Sequence, residues 1–347
     1  MLGNRITANA LTADEGNELI KKALAEIKEL YKIEPLKEEA IFRGRYYAQN
    51  KIGSYLAKAK NEKGQNVILK LQLRPLPFDE GLIIRHIQAQ LKTDKIRLPQ
   101  VYLDQAWEEK RGYGFLIMED LSLLSNLWLK GFPLTNGEMQ DHKNFLKIFF
   151  HEVLALKPFL AQPKLTGKEI LMDSFKHFEE IAKKSQHQHL APEKLAKLEE
   201  RYFDFVNNFV FEDLHFTHGH LAGLDIKFDR DKGTYIFLAN LLWSYRFKYY
   251  ELVFPIWNNL MHVNIENFSF PDFLESINKW CELLKDDIFD HDPTQTKQFW
   301  ALLLERAMLT CMLDLGASEW PENQIKIKEN LLNCWQEFFY WILENKL

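Results

Sequence analysis

Three polar side chains that could take part in chemistry lie close together in the stretch 216–244. His218 and His220 are two positions apart, and Asp225 follows His220 by five positions. Histidine titrates near neutral pH, so His220 could accept a proton from a substrate or, when protonated, bind an anionic group. A β-rich run follows at once, and a second one follows a turn that ends at Gly233. The pattern predicts a polar loop that leads directly into a β-hairpin.

The sequence of this loop, H-G-H-L-A-G-L-D-I over residues 218–226, resembles the H-G-D-L-H-P-G-N-I loop of aminoglycoside phosphotransferases and related small-molecule kinases. The resemblance implies the bilobal fold of protein kinases. It also implies that the loop aspartate takes the proton of the substrate hydroxyl. The loop asparagine and a second aspartate beyond the hairpin would then hold Mg²⁺ at the phosphates of ATP.

The chain differs from that family pattern at three positions. His220 stands at the position of the loop aspartate, Asp225 at that of the asparagine, and Asn240 at that of the second aspartate. The resemblance therefore implies His220, with His218 beside it, as catalytic residues. It implies Asp225 and Asn240 as magnesium ligands, with aspartate and asparagine exchanged. A neutral amide oxygen is the weaker Mg²⁺ ligand of the two.

A strand that ends in a lysine lies far upstream of this loop. Residues 67–70, V-I-L-K, resemble the V-A-I-K strand of kinases, whose lysine binds the α- and β-phosphates of ATP. Residues 79–87 resemble the helix that carries the glutamate partner of this lysine, which makes Glu80 the expected partner of Lys70. A counter-charge of this kind holds an ammonium group at the phosphates.

A second strand resembles the one that runs into the hinge between the lobes of such kinases. It covers residues 112–121, G-Y-G-F-L-I-M-E-D-L. Backbone hydrogen-bonding groups and an apolar slot suit a flat heterocycle at a hinge. The resemblance therefore implies Met118, Glu119 and Leu121 as contacts of the adenine ring.

ATP and Mg²⁺ are the cofactors that the resemblance implies, but the phosphate-covering loop is poorly represented. Such a loop needs small residues, because its backbone amides approach phosphate oxygens closely. Residues 42–53 contain two glycines, Gly44 and Gly53, among bulky and basic residues. This stretch neither supports nor excludes ATP binding.

The elements that would position these residues follow the order of an α+β fold. Residues 12–31 have helical periodicity, and Thr12 with Glu15 has the spacing of a capping box. Residues 54–60 and 65–71 alternate around a turn that contains glycine, which predicts a hairpin.

Residues 1–120 are thus predicted to form a β-rich N-lobe, and residues 121–347 a helical C-lobe that contains the catalytic-type loop 216–244 with its embedded hairpin. Apolar residues at helical spacing, with proline or glycine between segments, predict the helices of the C-lobe. These predicted helices are 136–160, 167–184, 192–210, 247–262, 271–289, 294–315 and 321–343.

Composition and charge narrow the functional class. The chain has 347 residues, of which 46% are hydrophobic and 27% charged, as in ordinary globular proteins. A net charge of -5 argues against nucleic acid as a partner. The sequence has no apolar run of membrane-spanning length and no secretory signal at its start, which predicts a cytoplasmic protein without a membrane partner. Three widely spaced cysteines, Cys281, Cys311 and Cys334, are predicted to be free thiols.

Three functional hypotheses follow. In the first, the chain is a degenerate kinase-fold protein that binds a nucleotide or a partner and transfers phosphate weakly or not at all. In the second, it is an active phosphotransferase that uses ATP and Mg²⁺ on a small hydroxylated substrate. In the third, it is an interaction scaffold without a ligand. The acceptor and the oligomeric state are not encoded in any local pattern.

Overall fold

The computed structural model of the chain describes residues 11–36, 51–75, 79–127, 135–211, 214–222, 225–238, 242–262, 266–288 and 293–347. Contacts between Cα atoms divide the chain into two compact units. Unit 1 consists of Met1–Ser125 and Lys227–Leu242, and unit 2 consists of Asn126–Ile226 and Trp243–Leu347. The second hairpin is thereby grouped with unit 1. The predicted lobe boundary after residue 120 stays a prediction.

Short and long strands alternate with helices in unit 1, whereas helices dominate unit 2. The strands are β1 (Leu11–Thr12), β2 (Glu34–Pro35), β3 (Lys51–Ile52), β4 (Ser54–Lys60), β5 (Asn66–Gln72), β6 (Ile96–Arg97), β7 (Val101–Glu108), β8 (Tyr113–Glu119), β9 (Ser125–Asn126), β10 (Leu214–Thr217), β11 (Ile226–Asp229), β12 (Thr234–Phe237) and β13 (Ser244–Phe247). The α-helices are α1 (Ala13–Tyr31), α2 (Glu80–Gln88), α3 (Asn136–Leu154), α4 (Gly167–Ala182), α5 (Pro192–Asn208), α6 (Tyr250–Leu260), α7 (Phe270–Ile288), α8 (Pro293–Leu309) and α9 (Ile325–Asn345).

Unit 1 is built on a five-stranded antiparallel sheet in the order β2-β4-β5-β8-β7. One face of the sheet and α1 share an apolar cluster, to which β5 contributes every second residue. Its fully buried members include Ala23, Ile27, Val67, Leu69 and Leu71. Each Val, Leu or Ile side chain contributes about 1.5–3 kcal/mol when it is fully buried. The predicted hairpin of β4 and β5 is confirmed.

The alternation of β5 places Lys70 on the opposite face of this sheet. In the register of the strands, Lys70 lies between Leu56 of β4 and Leu116 of β8. The central position of β5 in the sheet, paired on both sides, fixes the backbone around the lysine. Lys70 is therefore held on a rigid element.

The predicted capping box of α1 is confirmed. The amide of Glu15 donates to Oγ1 of Thr12 at 3.4 Å, and the amide of Thr12 donates to the Glu15 carboxylate at 3.0 Å. These two bonds satisfy amides at the helix start that have no partner within the helix. Beyond Tyr31, the helix ends at Lys32 in the left-handed conformation with φ 55°.

The predicted second hairpin is formed by β11 and β12, which are neighbours in their sheet. The rings of Phe228 and Tyr235 stack across the two strands at 4.6 Å. On its other side β12 pairs in parallel with β6, where Tyr235 lies opposite Ile96. This parallel pairing joins segments about 140 residues apart in the chain, and the local sequence pattern gives no sign of it.

Unit 2 is helical, with one antiparallel pair of strands, β10 and β13, among its described elements. The helix predicted over 247–262 begins later, at Tyr250, because residues 244–247 pair with residues 214–217. Phe216 stacks on Trp243 at 5.4 Å and meets Tyr245 edge-on, so aromatic packing stabilises the strand pair.

The end of α8 also differs from the prediction. The helix predicted over 294–315 is an α-helix to Leu309 and continues as a π-helix over Thr310–Asp314. None of the helices described in the structure has the length and apolar character needed to cross a membrane. The three cysteines are free, as predicted, and Cys311 and Cys334 are buried.

Candidate functional site

The central feature of unit 1 is an ion pair on the sheet face opposite α1. Nζ of Lys70 lies 2.5 Å from Oε2 of Glu80, and the two side chains are 16% and 3% exposed. Glu80 is the first residue of α2, whose start is fixed by the side chain of Asp79, which accepts from the amide of Gly81 at 2.7 Å. The expected partners are thus held together, although only ten positions separate them.

The residues expected at the hinge are placed at the end of β8 and just beyond it. Met118 and Leu121 are buried, at 8% and 5% exposure. The Glu119 carboxylate accepts two bonds from Arg97, at 2.7 and 2.8 Å, and its amide donates to the carbonyl of Gln100 at 2.9 Å. Burial acts to raise the pKa of Glu119, but the hydrogen bonds from Arg97 and from the Gln100 amide, together with the charges of Arg97 and Lys232, lower the pKa overall. Glu119 is therefore held within unit 1 by both side chain and amide.

In unit 2, a buried carboxylate holds the loop that contains His218 and His220, called here the histidine loop. Glu251 in the first turn of α6 is 1% exposed and accepts from the amide of Gly219 at 2.8 Å. Burial raises the pKa of Glu251 to about 7, while hydrogen bonds from Gly219, Thr217 and His218 act in the opposite direction.

His218 is fully buried. Its ring meets Phe149 edge-on at 5.9 Å and Trp243 edge-on at 5.1 Å. An imidazole enclosed in this way is placed to hold the loop, and it presents no surface to a substrate. Of the two histidines expected to be catalytic, His218 is thus the one that is enclosed by aromatic side chains.

His220 is in a different environment, with 42% of its side chain exposed. Its Nδ1 lies 3.3 Å from Oδ2 of Asp225, and its ring packs on Phe254 at 4.8 Å. The same oxygen of Asp225 accepts from the amide of Ala222 at 3.1 Å. The structure therefore brings the residue at the base position into contact with an expected metal ligand.

The other expected metal ligand, Asn240, lies outside the described residues. No group of three or more metal-binding His, Cys, Asp or Glu side chains occurs in the part of the chain that the structure describes. Asp225 supplies one carboxylate of the kind that Mg²⁺ prefers, and Mg²⁺ commonly keeps several waters and binds phosphate oxygens in addition. A carboxylate at Asp225 is therefore chemically suited to serve as one ligand of a magnesium ion.

A charged cluster next to His220 was not found from the sequence. Arg306 donates to Asp314 at 2.8 Å, and its guanidinium lies 3.9 Å from the ring centre of Trp257 and 5.4 Å from that of Phe254. Phe254 is also the ring that His220 contacts. Burial raises the pKa of Asp314, opposed by Arg306 and His220. The π-helix that carries Asp314 is a geometry frequent at functional sites, but no sequence signal marks it.

The backbone of Gly219 gives a first testable prediction. Its φ of 75° is left-handed, a conformation that disfavours a side chain by about 1–2 kcal/mol. Gly219→Ala should therefore lower the free energy of unfolding by about that amount and displace the amide that Glu251 binds. Denaturant unfolding at neutral pH measures the loss.

Gly64 provides the matched control. It has a φ of 73° in the turn between β4 and β5, and a side chain there would meet no atom within 4 Å. Gly64→Ala should lose a similar amount of stability, because its backbone is equally left-handed. Full stability in Gly219→Ala would contradict the left-handed loop geometry.

Comparisons with known proteins locate the fold. No family model and no curated protein matches the sequence. Among solved structures, a thermostable mutant of an aminoglycoside phosphotransferase, in its apo form, has a TM-score of 0.56 at 10% identity, over 89% of this chain and 94% of that one. Amicoumacin kinase in complex with AMP-PNP, Ca²⁺ and Ami has a TM-score of 0.57 at 11% identity, over 93% and 96%.

A third structure, Plasmodium vivax ethanolamine kinase, has a TM-score of 0.50 at 11% identity and covers 95% of this chain and 96% of its own. Likeness at such identities shows the fold. The chain has the α+β, protein kinase-like fold of aminoglycoside phosphotransferases and small-molecule kinases, and this prediction from the loop sequence is confirmed.

Proposed function

We propose that this chain is a nucleotide-binding protein of kinase-like fold that transfers phosphate weakly or not at all. The observation that carries the proposal is the ion pair between Lys70 and Glu80, at 2.5 Å. An ammonium group that is mostly buried, paired with a carboxylate and fixed on a central strand is suited to the α- and β-phosphates of ATP. Solved structures of the same fold support a nucleotide as ligand, since amicoumacin kinase contains AMP-PNP.

The proposal of weak transfer rests on the histidine loop. Imidazole replaces carboxylate at the base position, and His220 is in contact with Asp225. One oxygen of Asp225 already interacts with His220 and with the amide of Ala222, so it has less capacity to bind Mg²⁺. Bound Mg²⁺ neutralises charge on the phosphates, and a weakened ligand set reduces that effect.

The contact between His220 and Asp225 also favours a second candidate function, an active phosphotransferase that acts on a small hydroxylated molecule. A carboxylate at Nδ1 orients an imidazole, and an imidazole can take a proton from a hydroxyl group. In this candidate His220 is the base, and Asp225 together with Asn240 holds Mg²⁺. Amicoumacin kinase, a structure of the same fold, is in complex with AMP-PNP, Ca²⁺ and Ami, which supports this candidate.

Thermal unfolding with and without ATP, each with and without Mg²⁺, tests the proposal. Nucleotide binding should raise the Tm, because a ligand that binds only the folded state stabilises it by about 2.7 kcal/mol at one hundred times its Kd. For the weak-transfer proposal, we expect the larger part of the rise without Mg²⁺, and no ADP formation above background with candidate hydroxylated acceptors.

Asp225→Ala separates the two candidates. An ATP effect that requires Mg²⁺ and disappears in Asp225→Ala would support the active phosphotransferase. An ATP-induced rise in Tm that persists without Mg²⁺ and in Asp225→Ala supports nucleotide binding with little transfer. The absence of any rise at millimolar ATP would contradict both candidates and leave an interaction scaffold. Glu319→Ala, at an exposed position in unit 2, controls for the loss of a negative charge.

A further inference from the structure

The sheet face that carries Lys70 continues toward a second cation. Residues 67, 69 and 71 of β5 are buried against α1, so Lys70 and Gln72 point the other way. The pairing extends beyond the strand, since the amide of Leu73 donates to the carbonyl of Gly53 at 3.1 Å. Leu73 is itself buried in the α1 cluster, so the alternation places Arg74 on the face of Lys70.

Arg74 is half-buried and packs closely on Gly53. A Cβ built at Gly53 would lie 3.0 Å from Nε and 3.1 Å from Cζ of Arg74. The absence of a side chain at Gly53 therefore provides the space for the guanidinium group. Nε of Arg74 is buried, and none of the described residues supplies it with a hydrogen-bond partner. Burial lowers the pKa of this arginine. Such a group reduces stability unless a ligand satisfies it.

The charge balance on this face makes Arg74 significant. The charge of Lys70 is largely compensated by Glu80 at 2.5 Å. Arg74 has no salt bridge with a carboxylate among the described residues, in contrast to Arg85 and Arg97, which are paired with carboxylates in the same unit. Arg74 therefore carries a positive charge on this sheet face that no carboxylate of the described residues compensates.

We propose that Arg74 is a second phosphate-binding residue, which together with Lys70 binds the polyphosphate chain of a nucleoside triphosphate. Four residues of extended strand separate the two Cα atoms by about 13 Å. Two long cationic side chains on one sheet face at such a separation suit an extended polyanion better than a single phosphate. The guanidinium group presents parallel N–H donors that match two phosphate oxygens, and an arginine without a carboxylate partner is free to use them.

This inference rests on the proposed function in one respect, since it takes the polyphosphate to be that of a nucleotide. Arg74→Met is the informative variant, because methionine keeps the apolar stem and removes the charge. Arg201→Met is the matched control, since Arg201 is exposed on α5 in unit 2 and its loss changes net charge equally. Calorimetric titration of the full chain with ATP, adenosine and inorganic tripolyphosphate gives the affinities.

We expect Arg74→Met to lower the affinity for ATP and for tripolyphosphate at least tenfold, which is the effect of losing one charged hydrogen bond. The affinity for adenosine should be unchanged. Arg201→Met should match the wild type with all three probes. Without ligand, the Tm of Arg74→Met should be equal to or higher than that of the wild type, because an unsatisfied buried donor is removed. A structural role for Arg74 would lower that Tm instead.

Each remaining outcome decides the inference. ATP affinity that is equal in wild type and Arg74→Met overturns the role of Arg74 and leaves nucleotide binding standing. A third outcome is that tripolyphosphate binds the wild type but not Arg74→Met, and that ATP binds the wild type no more tightly than tripolyphosphate does. This outcome supports an anion site at Arg74 and shows that the site does not recognise the nucleoside. If the wild type binds neither ATP nor tripolyphosphate, the inference is overturned.

Discussion

Replacement of Lys70 by methionine is expected to abolish the ATP-induced rise in Tm and to lower the free energy of unfolding by about 3 kcal/mol. The first effect follows because the ammonium group is the cation that the proposal places at the phosphates. The second follows because Glu80, 3% exposed, would be left as a buried carboxylate without its counter-charge. Denaturant unfolding without ligand measures the stability, and thermal unfolding with ATP measures the binding.

A double variant separates these two effects. In Lys70→Met with Glu80→Leu, two apolar side chains replace both charges, which is commonly neutral or stabilising for a buried pair. We expect most of the lost stability to return while the ATP effect stays absent. If Lys70→Met alone keeps the full ATP-induced rise, the lysine does not bind phosphate and the proposed nucleotide site is wrong.

Glu251→Gln is expected to change how stability depends on pH. Burial raises the pKa of Glu251 from 4.5 to about 7, so the folded protein holds this proton more tightly than the unfolded chain. The stabilisation from this group is complete below pH 4.5 and is lost as the pH rises to about 7. Between pH 5 and pH 8, the wild type should therefore lose up to about 3 kcal/mol relative to Glu251→Gln.

Glutamine retains an oxygen that accepts from the Gly219 amide, so the comparison isolates ionisation. Unfolding of both proteins is measured in denaturant at several pH values. Asp272→Asn is the control, because hydrogen bonds from Ser269 lower the pKa of Asp272 below 3.8 and the residue does not titrate above pH 5. A difference between wild type and Glu251→Gln that is constant from pH 5 to pH 8 would show that the carboxyl is already ionised at pH 5.

Local patterns in the sequence determined much of the fold. Alternation fixed which residues of β5 face α1, and therefore the side on which Lys70 stands. Thr12 and Glu15, three positions apart, marked the start of α1 through their own hydrogen bonds. The two hairpins and most helices were predictable for the same reason: residues within a few positions of one another decide them. Helix ends were less certain, as the π-helix after Leu309 shows.

The candidate site was only partly encoded in this way. Spacing brought His220 and Asp225 into one loop, and the tertiary structure places their side chains 3.3 Å apart. The anchor of that loop, Glu251, binds Gly219 across 32 positions, and no period in the sequence connects them. Its raised pKa is a consequence of burial, which depends on everything packed around it.

The partners of the charged residues were decided by the tertiary structure alone. The sequence shows Arg74 and Arg306 as two arginines among many. In the structure Arg306 lies on Trp257 and binds Asp314, whereas Arg74 has no carboxylate partner among the described residues. Long-range contacts of this kind depend on how helices and strands pack, and packing is fixed by the combined shapes of residues distant in sequence. Local sequence therefore determined the elements, and packing determined the partners of the charged residues.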